Sequence, residues 1–463
     1  MAIVAPVKKA CAVNPLKSST PLGAALAFMG VEGAVPLFHG SQGCTSFAMV
    51  LAVRHFKEAI PLQTTAMNEA ATVLGGAENL EEALINLQTR MKPRFIGVAS
   101  TALVETRGED FQGEIAQILR RRAELKDTPV VFASTPDFEG ALEDGWARAT
   151  ASIVETLVEP PPLAASVTEQ NAAINVLLGV HQTPADIEEL RAIIESFGLT
   201  ATFLPDISRS LDGHVPDTYI GTSLGGTALA DIRAMGRAVH TIAVSEHMRP
   251  AAEALSKRTS VPHTVFANLT GLRATDELIS LLSVLAGRAA PEPLRRQRNQ
   301  LLDAMLDGHF HFSGKKVAIA SDPDLLCALS TLFHGMGAQI VCAVASTKNS
   351  PLLTQVPCDT VIVGDLTDLE EGAAANGAEL IVTHSHGRMG AERLGLPLFR
   401  VGFPIFDRLG VQHRCSTGYR GTRQLIYEIA NLFIAQLRPH TPADFADVLP
   451  PEPFASDARH DHA

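Results

Sequence analysis

The 463-residue chain has no C-x-x-C pair and no run of about 18 apolar residues, so neither a spaced zinc site nor a membrane-spanning helix can be read from it. A basic surplus is also missing. The formal net charge is -12, which excludes the long-range attraction that nucleic-acid and anionic-lipid binders use. The opening "MAIVAPVKKACAVNPLKSST" carries its lysines after its short apolar run rather than before it, unlike a secretory signal, and the expected location is cytoplasmic. In such a reducing compartment the six cysteines, at 11, 44, 327, 342, 358 and 415, should be thiols.

What is present is the composition of an ordinary folded protein, 46% hydrophobic and 19% charged, on a chain long enough for about three domains. Short apolar runs alternate with amphipathic helical stretches, which predicts an α/β fold of parallel sheets covered on both faces. "NVLLGV" (175–180) leads into "TPADIEELRAIIESFG", with Thr183 as N-cap, Pro184 as first helical residue and Gly198 as stop, and then into strand "TATFLP". The same design returns at "KKVAIAS" (315–321), "DPDLLCALSTLFHGMG" and "AQIVCAVAS", with Asp322 and Pro323 in the capping roles and Gly337 at the stop.

Earlier in the chain, helix "NLEEALINLQTRM", strand "PRFIGVAS" (93–100), a helix near 110–124 and strand "PVVFAS" (129–134) form a further unit. "VEPPPLAAS" (158–166) reads as a linker and "EPLRRQRNQLLDAMLDGHF" (292–310) as a bridging helix. The division that follows is 1–165, 166–291 and 292–440, with a tail at 441–463.

Familiar catalytic patterns are weak or absent. No G-x-G-x-x-G or G-x-x-x-x-G-K-[ST] follows a strand. "GTSLG" (221–225) matches a nucleophile elbow around Ser223, but helix capping is the simpler reading, and Gly225 and Gly226 read as a tight turn. His384 and His386 close a strand without a third ligand nearby and read as structural or partner-facing. The tail's His460 and His462 read as an unstructured end.

One stretch resists this treatment. In "FHGSQGCTSF" (38–47), Gly40 and Gly43 allow a loop whose amides approach a compact anionic object, and Cys44 offers a thiolate. A [4Fe-4S] cluster is such an object, but it takes four thiolates. Taken alone, the stretch leaves two readings open: Cys44 is inert, or a partner completes the site.

"PLFHGSQGCTSFAMVLAVRHFKEAIPLQTTAMNEAATVLGGAENL" (36–80) resembles the P-cluster region of β-subunits in the nitrogenase molybdenum-iron protein family, and "HSHGRMGAERLGLPLFRVGFPIFDRLGVQHRCSTGYRGTRQLIYEIANLF" (384–433) resembles the end of the same family. The resemblance implies three Rossmann-like domains. Catalytic β-subunits of that family contribute three cluster cysteines. Here Cys44 matches the first, the second region (60–76) has none, and Ala102 stands at the third, with Glu105 retained.

One thiolate from this chain and three from a partner suit a [4Fe-4S] cluster rather than an eight-iron one. The resemblance therefore implies a non-catalytic, β-like scaffold subunit for maturing the iron-molybdenum cofactor. It also implies an α2β2 heterotetramer with NifE, an interfacial [4Fe-4S] cluster at each pair, and a cofactor precursor held mainly on NifE. NifB would be the precursor donor, the nitrogenase iron protein a docking partner and apo-nitrogenase the acceptor. Within this reading Cys44 is the metal ligand, Gly40 and Gly43 shape its loop, and His39 and Glu105 support it. The alternatives are a catalytic β-subunit of a nitrogenase-like reductase and a cluster-free α/β ligand-binding module.

Overall fold

The computed structural model describes residues 1–7, 9, 12–108, 110–161 and 173–436. Apolar runs too long for one-sided burial become fully buried parallel strands: every residue of Phe95–Ser100 and of Leu380–Thr383 lies inside. The strands are β1 (Ile3–Pro6), β2 (Ala34–His39), β3 (Gln63–Thr64), β4 (Phe95–Ser100), β5 (Val130–Ala133), β6 (Ala173–Leu177), β7 (Thr200–Leu204), β8 (His240–Val244), β9 (His263–Phe266), β10 (Lys316–Ser321), β11 (Gln339–Ala345), β12 (Thr360–Val363), β13 (Leu380–Thr383) and β14 (Leu398–Arg400). They form three sheets, ordered β3-β2-β4-β5, β7-β6-β8-β9 and β1-β12-β11-β10-β13-β14.

Among the described residues all the strand pairs are parallel, and helices connect most of the strands, as the alternating pattern predicts. One strand departs from the linear division of the chain. β1 pairs with β12, from Ile3 opposite Thr360 to Pro6 opposite Val363, so the chain begins in the sheet of its last third. Four residues of "IVAP" hold no signal for which sheet they will join. The boundary at 165/166 and the tail at 441–463 lie outside the described residues.

The helix stops behave as expected: Gly198 and Gly337 adopt φ of 69° and 93°, left-handed values that glycine enters without a Cβ clash. The bridging segment is a helix from Glu292 to Phe312. At the centre, helix Thr20–Met29 is buried along its whole length and crosses helix Leu142–Leu157 closely. A Cβ at Gly23 would collide with the carbonyl of Leu142, and one at Gly145 with that of Thr20. Trp146, on the second of these helices, donates from Nε1 to the carbonyl of Leu178, 2.6 Å away, which ties the first segment to the end of β6.

Candidate functional site

"FHGSQGCTSF" begins as the end of β2 and continues as a helix, not a loop. Ser41 takes an extended N-cap conformation, and the helix runs from Gln42 to Phe56, with Cys44 in its first turn. The run of Ala, Val, Leu and Phe after residue 46 supplies enough helical contacts to draw Gly43 into the helix. Gly43 therefore does not use left-handed freedom, and a Cβ there would meet nothing within 4 Å. Gly40 serves close approach: a side chain would strike Thr101, whose N–H and Oγ1 both donate to the His39 carbonyl at 3.1 Å.

Cys44 Sγ is exposed, 3.5 Å from Ser41 Oγ. Because Ser41 makes no side-chain cap bond, the amides of this helix end are uncapped by their own N-cap, and the helix presents partial positive charge beside the thiol. The other described cysteines differ. Cys327 and Cys342 are buried, and burial pushes the thiols of Cys342 and Cys358 up to about 11 and raises that of Cys415. Cys11 lies outside the described residues.

A hollow of about 290 Å³ lies against Cys44, lined also by Lys17, Phe38, Phe47, Asp137 and His386. Lys17 Nζ donates to the Asp137 carbonyl at 2.5 Å, and burial lowers the lysine's pKa. Along the same helix Phe47, Val50 and Val53 are 78%, 52% and 39% exposed, an apolar stripe leading away from the thiol.

His39 and Glu105 sit elsewhere. His39 neighbours Phe38 on β2 and so faces the other side of the sheet. It is fully buried, with Nδ1 3.1 Å from Thr65 Oγ1 and its ring edge-on to Phe111, and burial alone lowers its pKa to about 4. Glu105 closes the short helix Ala102–Glu105 and accepts hydrogen bonds from Ser100 and from Ser134, the latter at 2.7 Å. These two residues brace the strand ends around Gly40 and Thr101, while Cys44 opens outward.

The weaker motifs resolve as structure. Ser223 caps no helix: its Oγ donates to the Val31 carbonyl at 2.7 Å and accepts from the Ala34 N–H at 2.8 Å, fastening the second segment to the start of β2. Gly226, at φ 114°, packs where a Cβ would press on the backbone of Gly30 and Val31. His384 is buried, reaches the Leu16 carbonyl at 3.1 Å and has its pKa lowered to about 4 by burial.

Sequence reading missed a second group. Asp322 stands at an N-cap but makes no cap bond; its carboxylate turns instead toward His181 and Ser346. Beside it lie Glu143, Asp324 and His247. The available signal was position: Asp322, His181 and His247 each follow the carboxyl end of a parallel strand, where open α/β sheets place ligands.

The model of the nitrogenase component 1 type oxidoreductase family matches residues 19–434. The chain belongs to that family. Similar curated proteins include the nitrogenase iron-molybdenum cofactor biosynthesis protein NifN of Mesorhizobium japonicum, 57% identical over 94% of this chain and 93% of that protein. The NifN proteins of Sinorhizobium fredii (55% identical, 92% and 94%) and Rhodobacter capsulatus (50%, 98% and 98%) are also similar. Among solved structures, nitrogenase Cp1 at pH 6.5 superposes with a TM-score of 0.88 at 31% identity, over 95% of this chain and 97% of that one. The family fold is thus the one predicted from the alternating pattern. No described helix is long and apolar enough to cross a membrane.

Proposed function

We propose that this chain is the β-like half of a scaffold for maturing the nitrogenase iron-molybdenum cofactor, and that Cys44 is its single thiolate ligand to a [4Fe-4S] cluster shared with a NifE partner. The observation that carries this reading is the outward-facing Cys44 on an uncapped helix end: it is the one exposed thiol among the described residues. An anionic cluster suits such a position, because helix-end amides stabilise negative charge.

A cluster bound there supplies one-electron chemistry at a potential set by its surroundings. This chain's own contribution is the Cys44 thiolate, the nearby Ser41 hydroxyl and the first-turn amides. Phe47 and Val50 extend the contact as an apolar surface that a partner subunit would cover. Gly40 fixes the backbone at the end of β2, Gly43 leaves open space beside the thiol, and His39 and Glu105 hold the strand ends from behind.

The reading carries an α2β2 assembly, a precursor held mainly on NifE, NifB as its donor, docking of the nitrogenase iron protein and apo-nitrogenase as acceptor. The complex matures a cofactor and does not itself turn over a substrate. Co-purification with NifE tests this. The complex should contain iron and, once loaded, activate apo-nitrogenase. An iron-free complex, or one that reduces substrate with the iron protein and ATP, overturns the proposal.

A further inference from the structure

We infer that Glu143, His181 and Asp322 form a binding site for a divalent transition-metal ion at the junction of the three sheets, separate from Cys44. The residues come from three parts of the chain. Glu143 lies in the first turn of helix Leu142–Leu157, His181 follows β6, and Asp322 follows β10. β6 and β10 are the strands at which the second and third sheets reverse their order, so two ligand-binding crevices of α/β type converge on one point.

The donors are buried and converge on the His181 ring nitrogen. The Glu143 and His181 side chains are 3% and 7% exposed, and that of Asp322 is 9%. His181 Nε2 is 3.3 Å from Asp322 Oδ2 and 3.8 Å from Glu143 Oε2, yet forms a hydrogen bond with neither. Tetrahedral donors each about 2.1 Å from a metal stand roughly 3.4 Å apart, close to both separations that His181 Nε2 makes, so an ion held there would draw the two carboxylates in by side-chain rotation. A buried ring nitrogen near two carboxylates, with no hydrogen bond to either, is arranged for a lone-pair acceptor such as a metal.

Neighbouring groups orient the set. Ser346 donates to Asp322 Oδ1, which leaves Oδ2 toward His181. His247 accepts the Val180 N–H on Nε2 at 3.3 Å, so its proton sits on Nδ1 and is donated to Asp324 Oδ2 at 2.8 Å. Asp324 also accepts from the His247 N–H at 2.9 Å and from Ser350 at 2.8 Å. That pair is therefore saturated and acts by positioning, as groups around metal ligands commonly do. No lysine or arginine forms an ion pair with these carboxylates among the described residues. Imidazole with carboxylate oxygen selects first-row dications over sulfur-seeking metals. Glu143 and His247 also line a surface hollow of about 420 Å³, so solvent reaches the set from the Glu143 side.

The test is titration of the chelator-treated full-length chain with Co2+, followed by its visible absorption, and with Zn2+, followed by calorimetry and by the melting temperature. One equivalent should bind, with cobalt bands of a low-coordinate site and a raised melting temperature under Zn2+. Glu143→Gln and His181→Gln should each weaken binding by roughly tenfold or more. The melting-temperature rise in the unaltered chain provides a readout that does not depend on either variant folding. Replacing His460 and His462 by alanine should leave the bands intact. Failure of the unaltered chain to bind, or binding that survives both ligand substitutions or vanishes with the tail histidines, overturns the site.

Discussion

The first turn of helix Gln42–Phe56 and the junction of Glu143, His181 and Asp322 use polar groups in opposite ways. At the first turn a lone thiol and uncapped amides face solvent beside an exposed Phe47. At the junction three carboxylates and two imidazoles meet with their side chains at most 9% exposed, and outer groups hold the inner ones in place. An exposed ligand with no companions in its own chain needs a second chain to become a site. A buried set with complete surroundings needs only the ion. On the two proposals made above, the same fold would carry one half-site and one whole site, and burial separates them.

The sharpest way to break this contrast is to loosen the junction while leaving the first turn alone. Trp146 lies one turn beyond Glu143 and bonds across to Leu178, so Trp146→Ala should cost about 3–5 kcal/mol of stability, measured by chemical unfolding. The Cys44 thiol should keep its reactivity toward a maleimide in that variant.

A second effect comes from histidines buried as neutral rings. His39 and His384 are held at about 4 and His55 at about 3, against about 6.5 when unfolded. The unfolded chain therefore binds more protons in the interval between those values. The stability these rings contribute is complete above pH 6.5 and is lost as pH falls toward 4. His39 alone should contribute a loss of about 2 kcal/mol between pH 7 and pH 5, and His39→Gln should flatten that part of the stability–pH curve.

Two glycines, Gly40 just after β2 and Gly43 in the first turn, sharpen the comparison around the thiol. Gly40→Ala should cost about 1–3 kcal/mol, because Thr101 and its carbonyl contacts must shift. Gly43→Ala should be neutral or stabilise by about 0.5–1 kcal/mol, since its side chain enters open space on a helix. Melting curves of the two variants decide whether Gly43 matters to the fold. Cys327→Ala should likewise be mild, a packing loss of about 1 kcal/mol with no change in metal content.

The sequence made the sheets legible because full burial writes continuous apolar runs, and the helix ends legible because Thr183, Pro184, Gly198 and Gly337 are local signals. It did not reveal that β1 joins the last sheet, since four residues cannot encode a partner hundreds of positions away. Cys44 was visible as a candidate, but its helical setting was not: two glycines argue for a loop until the apolar residues that follow are weighed as one helix. The junction was hidden for a different reason. Its residues are spread from 143 to 324, and Asp322 before Pro323 imitates a helix cap so well that its long-range role has no local trace.

The central claim is that the exposed thiol completes a metal centre at a subunit boundary. It is tested most directly by iron content and the EPR spectrum of the reduced complex with NifE, comparing Cys44→Ala with Cys327→Ala. The account predicts that Cys44→Ala lowers the iron by up to about four atoms per pair or alters the cluster signal, while Cys327→Ala changes neither. An unchanged iron count and spectrum in Cys44→Ala would contradict it.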